Sequence, residues 1–294
     1  MKLNLYFVEN AKLGKNNWWR YMFSIVLIMA FYLLGIFITG QVGIYLNNGK
    51  PPKPMTEFII QHSNIFVSKI ATNLEFIVGF IGLLLAVKFF HKRNPITLFT
   101  TFSSIKWKRI VFGAIVYSAI YLAIEIIYSY YNGNSFNINL PTYKFYSLLI
   151  ISLAIVPIQT TFEESFHRGY LLQTLTYYFK YPWIALLITS FLFGVIHIDN
   201  PEYLIFYCLT GLFLGLIIIL SNSLELAIGI HSAHNLMGLI LSDNSTENSL
   251  FYHKENQENI FIWLFPIIIT FILVLNKYGS RNLKILFMKI GKNT

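Results

Sequence analysis

"TFEESFHRGYLL", residues 161–172, is the stretch that decides how this chain folds and what it can do. Within it, Glu163-Glu164-Ser165-Phe166-His167-Arg168 holds two carboxylates, an imidazole and a guanidinium, and the chain on both sides is apolar. If that apolar sequence is membrane, the cluster is costly to bury and marks a functional site by default.

The composition places it in a membrane. Hydrophobic residues make up 55% of the 294 and charged residues only 12%, where a soluble domain carries about 25% charged. The mean hydropathy is +0.58. A spanning helix needs about 20 mostly apolar residues, and eight stretches approach that: 21–44, 74–90, 110–130, 145 to about 178, 183–198, 203–220, 224–241 and 260–275. The first follows Trp18-Trp19-Arg20, an interfacial anchor before a retained span, and no cleavable signal pattern precedes it.

The net charge is +9. With eight spans, the basic groups at the N-terminus, around 88–109, at Lys180 and after 276 all fall on one side, while Asp199, Glu202, Asp243, Glu247, Glu255 and Glu258 fall on the other. That pattern marks a membrane face, so the expected partner is the lipid bilayer and not nucleic acid. It puts both termini in the cytoplasm. Cys208 is the single cysteine, which excludes an intrachain disulfide and a cysteine metal cluster. No nucleotide-binding glycine motif is present.

Polar residues inside the apolar spans form three clusters. In the first, Glu164 and Arg168 are four apart on a helix and can pair. Glu163 and His167 share a different face, which leaves Glu163 as the freer carboxylate, suited to accept a proton. The second is Phe193-Gly194-Val195-Ile196-His197, and the third is His231-Ser232-Ala233-His234-Asn235. Glu163 and His197 stand equally far along the chain from Lys180. If 145–178 is one helix, bent at most at Pro157, a hairpin at Lys180-Tyr181-Pro182 brings them to one level, roughly 25 Å from the turn. His231 and Asn235 rise from a turn at Ser221-Asn222-Ser223 to a similar depth. Taken singly, each has a plainer reading: an interfacial charge, an interfacial histidine, hydrogen-bond glue between helices. Glu125 and Cys208 read as structural.

The three clusters in this order resemble the motifs of the CPBP family, the CAAX proteases and bacteriocin-processing enzymes also called Abi proteins. The resemblance covers about residues 145–241. It implies an all-α polytopic membrane protein, about eight transmembrane helices with a four-helix catalytic core. The chain then divides into 1–144, a membrane region with three spans; 145–241, the core; and 242–294, an outer loop, the last span and a basic tail. It further implies an intramembrane endopeptidase of a bacterial cytoplasmic membrane, acting on a hydrophobic or lipidated peptide or protein substrate. Glu163 and His197 would activate water, His231 and Asn235 would hold the oxyanion, and Glu164 with Arg168 would give structural support. His167 and His234 are departures from the family pattern.

A zinc scheme uses the same residues, with Glu163, His197 and His231 as ligands and water in the fourth position. The scheme that requires no cofactor is preferred, because asparagine is an uncommon zinc ligand and an ordinary oxyanion donor. Two other functions compete. One is a non-catalytic immunity or scaffold protein. The other is a proton-coupled transporter, for which neither inverted repeats nor paired broken helices are found.

Overall fold

The computed structural model describes residues 6–46, 73–131, 143–197, 203–241 and 264–290. Apart from a single bridge between Thr100 and Ser223, its regular structure is helical. In chain order the helices are α1 (Trp18–Leu46), α2 (Leu74–Leu85, continued by a wider π turn at Ala86–Phe90), α3 (Trp107–Tyr131), α4 (Tyr143–Glu164), α5 (Gln173–Phe179), α6 (Pro182–Ile196), α7 (Leu204–Ser221), α8 (Glu225–Leu241) and α9 (Leu264–Phe287). As far as the described residues reach, each of the eight expected stretches falls on a helix; 198 and 260–263 lie outside them. Four helical segments are long and apolar enough to cross a membrane alone: Trp18–Tyr45, Trp107–Tyr128, Leu149–Phe179 and Leu204–Ser221. The fold is an all-α polytopic membrane fold; the tally of eight spans rests on the sequence.

α4 and α5 form the single long helix that the hairpin register requires. Pro157 sits inside α4 without ending it. Between the two, Ser165–Leu172 is wound as a π helix, a form that recurs at functional sites. The opening hexapeptide therefore straddles the junction where the helix widens. The turn after α5 lies where expected: Lys180 adopts a left-handed φ of 69° and Pro182 opens α6. Asn222, with φ 56°, makes the corresponding turn between α7 and α8; asparagine tolerates that region well.

Before α1, a 3-10 turn at Phe7–Leu13 buries Phe7, Val8, Asn10 and Ala11. Its bonds tie distant segments together. The Phe7 N–H donates to Asn222 Oδ1 (3.1 Å), and Asn10 Nδ2 donates to the carbonyls of Thr97 and Thr100 (2.9 and 3.3 Å). The Ile290 N–H reaches the Lys180 carbonyl (2.8 Å). Both described ends, the 91–106 connection and the turns at Lys180 and Asn222 thus gather at one end of the bundle. That is the end at which the basic residues were expected to collect.

His91 lies in this layer, buried, just after the π turn that ends α2. Its Nδ1–H donates to the Lys15 carbonyl (2.9 Å), leaving Nε2 to accept from Ser24 Oγ (3.1 Å) and Tyr170 Oη (3.0 Å). Burial, reinforced by the Arg93 and Arg20 charges against the Lys15 bond, lowers its pKa from 6.5 to about 4. The folded state therefore holds His91 neutral where the unfolded chain would protonate it. Stability is then lost as pH falls through the window from about 6.5 to about 4. Thermal unfolding in detergent across that window should show this slope, and His91→Asn should flatten it.

The crossing of α3 and α8 positions the third motif. A Cβ at Gly113 would stand 2.7 Å from the Leu226 carbonyl oxygen, and one at Gly229 would collide with the Ile110 carbonyl oxygen. Backbone meets backbone there, as close-packed membrane helices require. Gly229 lies two residues before His231, so this contact fixes the depth of that histidine. Gly113→Leu should lower thermal stability by about 1–3 kcal/mol through overpacking, read as the unfolding midpoint in detergent.

Candidate active site

Arg168 is the largest fully buried side chain among the described residues and the foundation of the site. Its Nη1 donates to Glu164 Oε1 (3.1 Å), its Nη2 donates to the Gly211 carbonyl on α7 (3.0 Å), and its guanidinium carbon lies 4.4 Å from the centre of the Phe193 ring. A buried charge needs a partner and hydrogen bonds, and this one has a carboxylate, a carbonyl and an aromatic face. The expected Glu164–Arg168 pair is present. Gly211 is what lets α7 approach, because a Cβ there would lie 3.2 Å from Arg168 Nη2.

From this pair the network reaches α8. Nδ1 of His231 lies 2.9 Å from Glu164 Oε1, and its Nε2 lies 3.4 Å from Glu163 Oε2. The family resemblance implies an oxyanion role for His231 with Asn235; in this structure the two ring nitrogens of His231 face the two glutamates. Asn235 follows one turn later on α8, half-buried, with no side-chain hydrogen bond among the described residues. His234 turns away to Tyr117 Oη (2.7 Å from its Nδ1). Thr160 and Ser232 add a second α4–α8 link through their hydroxyls (2.7 Å).

Glu163 is buried and differently placed. Its Oε1 accepts from Gln159 Nε2 one turn earlier (3.0 Å), while Oε2 has no hydrogen-bond partner. Glu163 lines a cavity of about 380 Å³ together with Gln159, His167 and His197. The rest of the wall is largely apolar, with Ile28 and Tyr32 from α1, Phe76 from α2, Phe162 and Phe166 from the long helix and Ile196 from α6. His197 ends α6 with Nδ1 on the Phe193 carbonyl (2.7 Å) and its ring against Phe193 and Tyr207. Glu163 and His197, brought to one level by the hairpin, thus face the same space. His231 and Asn235 do not line it.

The sequence reading does not single out Gln159, Thr160, Gly211 or Tyr117. Gln159 precedes Glu163 by the same four-residue step that revealed Glu164 and Arg168, so its signal was available. Gly211 and Tyr117 act from outside the motifs, and nothing local in the sequence singles them out.

A zinc site would need three protein ligands around one point. Glu163 Oε2 and His231 Nε2 face each other, but His231 lies outside the cavity that Glu163 and His197 line. Among the described residues no three His, Cys, Asp or Glu side chains are grouped to hold a metal ion. The donor set as arranged in the described residues does not fit zinc.

The sequence profile of the Type II CAAX prenyl endopeptidase Rce1-like family matches residues 142–237. The uncharacterized protein YyaK of Bacillus subtilis (strain 168) is 31% identical over 242 residues, covering 76% of this chain and 77% of the relative. No solved structure matches at a significant level. All three motifs lie within the matched segment, and the chain belongs to the CPBP family of membrane endopeptidases, which includes the type II CAAX prenyl endopeptidases.

Proposed function

We propose that this protein hydrolyses a peptide bond of a hydrophobic or lipidated peptide or protein at the Glu163 cavity, without a metal ion. One observation carries the reading: the buried Glu163 Oε2, without a hydrogen-bond partner, on a residue that shares an apolar cavity with His197. A carboxylate on the wall of such a cavity can accept a hydrogen bond, and then a proton, from water.

The steps balance with the residues present. Glu163 takes a proton from water as the water oxygen bonds to the substrate carbonyl carbon. The carbonyl oxygen becomes an oxyanion, which hydrogen-bond donors in a dry site stabilise strongly. The Asn235 amide, half-buried on α8 one turn after His231 and outside the cavity wall, takes that task when the substrate carbonyl is turned toward α8. The proton passes by way of His197 to the amide nitrogen as the C–N bond breaks, releasing an amine and a carboxylic acid. His231 bridges Glu163 and Glu164. The cavity wall suits an apolar or lipidated segment. Both termini would lie in the cytoplasm of a bacterial membrane.

Hydrolysis by purified protein in lipid nanodiscs should be equal in chelator and in added zinc. Activity restored only by zinc would overturn the metal-free scheme while leaving the peptidase in place. A non-catalytic scaffold predicts instead that Glu163→Ala and His197→Ala keep full cellular activity at normal abundance.

A further inference from the structure

His167 departs from the family pattern and takes no part in the chemistry above. It is buried, at 2% exposure, and lines the cavity beside Glu163 and His197. Its Nδ1 lies 2.8 Å from the main-chain carbonyl of Glu163. A carbonyl only accepts, so Nδ1 carries the hydrogen and, in the neutral ring, Nε2 is a bare lone pair. The ring is held edge-on between Phe166 and Phe193, 5.2 and 5.3 Å between centroids, so that lone pair is fixed before any ligand arrives.

The other polar groups of the cavity share this polarity. His197 spends its Nδ1 hydrogen on the Phe193 carbonyl, which leaves Nε2 as an acceptor. Gln159 must turn its NH₂ to the Glu163 carboxylate, so its amide oxygen is the free end. Glu163 is itself an acceptor. The donors left over are the Tyr32 hydroxyl and the second N–H of Gln159, which belongs to the nitrogen already bound to Glu163. An apolar ligand that displaces water from this space strands the lone pairs unless it brings a donor of its own. Phenylalanine would fill the place of His167 without that cost.

We propose that His167 is a substrate-contacting residue whose Nε2 accepts a hydrogen bond from an N–H of the bound ligand, so that the cavity selects apolar chains that carry an N–H donor. The inference deepens the peptidase reading and rests on it for the nature of the ligand, a peptide segment whose main-chain N–H must be satisfied inside an apolar wall. Glu163 and His197 are committed to water and the leaving amine, and His167 is the acceptor left over.

The test uses two probes that differ in one hydrogen, N-dodecylacetamide and N-dodecyl-N-methylacetamide, titrated by NMR into the full-length protein in nanodiscs, with empty nanodiscs subtracted. The N–H probe should bind the wild type about fivefold tighter than its methylated twin, the worth of one ordinary hydrogen bond. That preference should vanish in His167→Phe and survive in His167→Gln, whose amide oxygen can stand near the position of Nε2. In the wild type the ¹⁵N signal of His167 Nε2 should shift with the N–H probe and not with its twin, a readout that does not depend on either variant folding. The inference is overturned if His167→Phe keeps the preference, if the wild type has none, or if neither probe binds. Binding needs no turnover, so a protein that selects the N–H probe but cleaves nothing would defeat the peptidase reading alone.

Discussion

Glu163→Gln protein should stay folded and lose hydrolysis by about 10²–10⁴-fold, the usual worth of a positioned general base. Glutamine has the volume of glutamate, and its amide can still meet Gln159 and His231, which hold the present carboxylate at 3.0 and 3.4 Å. What it cannot do is take a proton from water. The thermal midpoint should hold or rise, because the substitution removes a buried carboxylate whose Oε2 has no hydrogen-bond partner. Loss of rate with unchanged melting separates chemistry from folding. Retention of full rate would remove Glu163 from the mechanism.

Arg168→Met should have the opposite signature, with stability lost first. The guanidinium is the positive partner of Glu164 at 3.1 Å, and both side chains are shielded from solvent. Removing one member of such a pair strands the other charge at a cost of about 3–5 kcal/mol. Glu164 also meets His231 through the same oxygen, Oε1, so its movement would carry the α8 histidine with it. Unfolding in detergent should show the large drop, and activity should fall with the folded fraction. Adding Glu164→Gln should recover most of the lost stability, since the stranded charge is then gone. If the single variant melts like the wild type, Arg168 is not the foundation described here.

Much of this arrangement was legible in the sequence because helices repeat. Four-residue spacing marked the Glu164–Arg168 pair, and equal distances from Lys180 placed Glu163 and His197 on one cavity. The turns at Lys180 and Asn222 were marked by breaks in the apolar pattern. The π winding at Ser165–Leu172 was not legible, since it keeps a helical pattern of residues and only widens the turn. Nor was the direction of His231. Which way a ring faces depends on the carboxylates around it, and those come from another helix. The burial of Phe7 and Val8 under the bundle depends on contacts with residues more than two hundred positions away, such as Asn222. Local pattern carries none of that.

The central claim, that Glu163 makes this family member a working peptidase, is tested most directly by comparing the peptides of cell membranes carrying the wild type with those carrying Glu163→Ala at matched abundance. The account predicts that the wild type shortens one or more hydrophobic or lipidated chains and that the intact forms accumulate in the variant. Identical peptide populations in the two membranes, with both proteins folded and equally abundant, would contradict it.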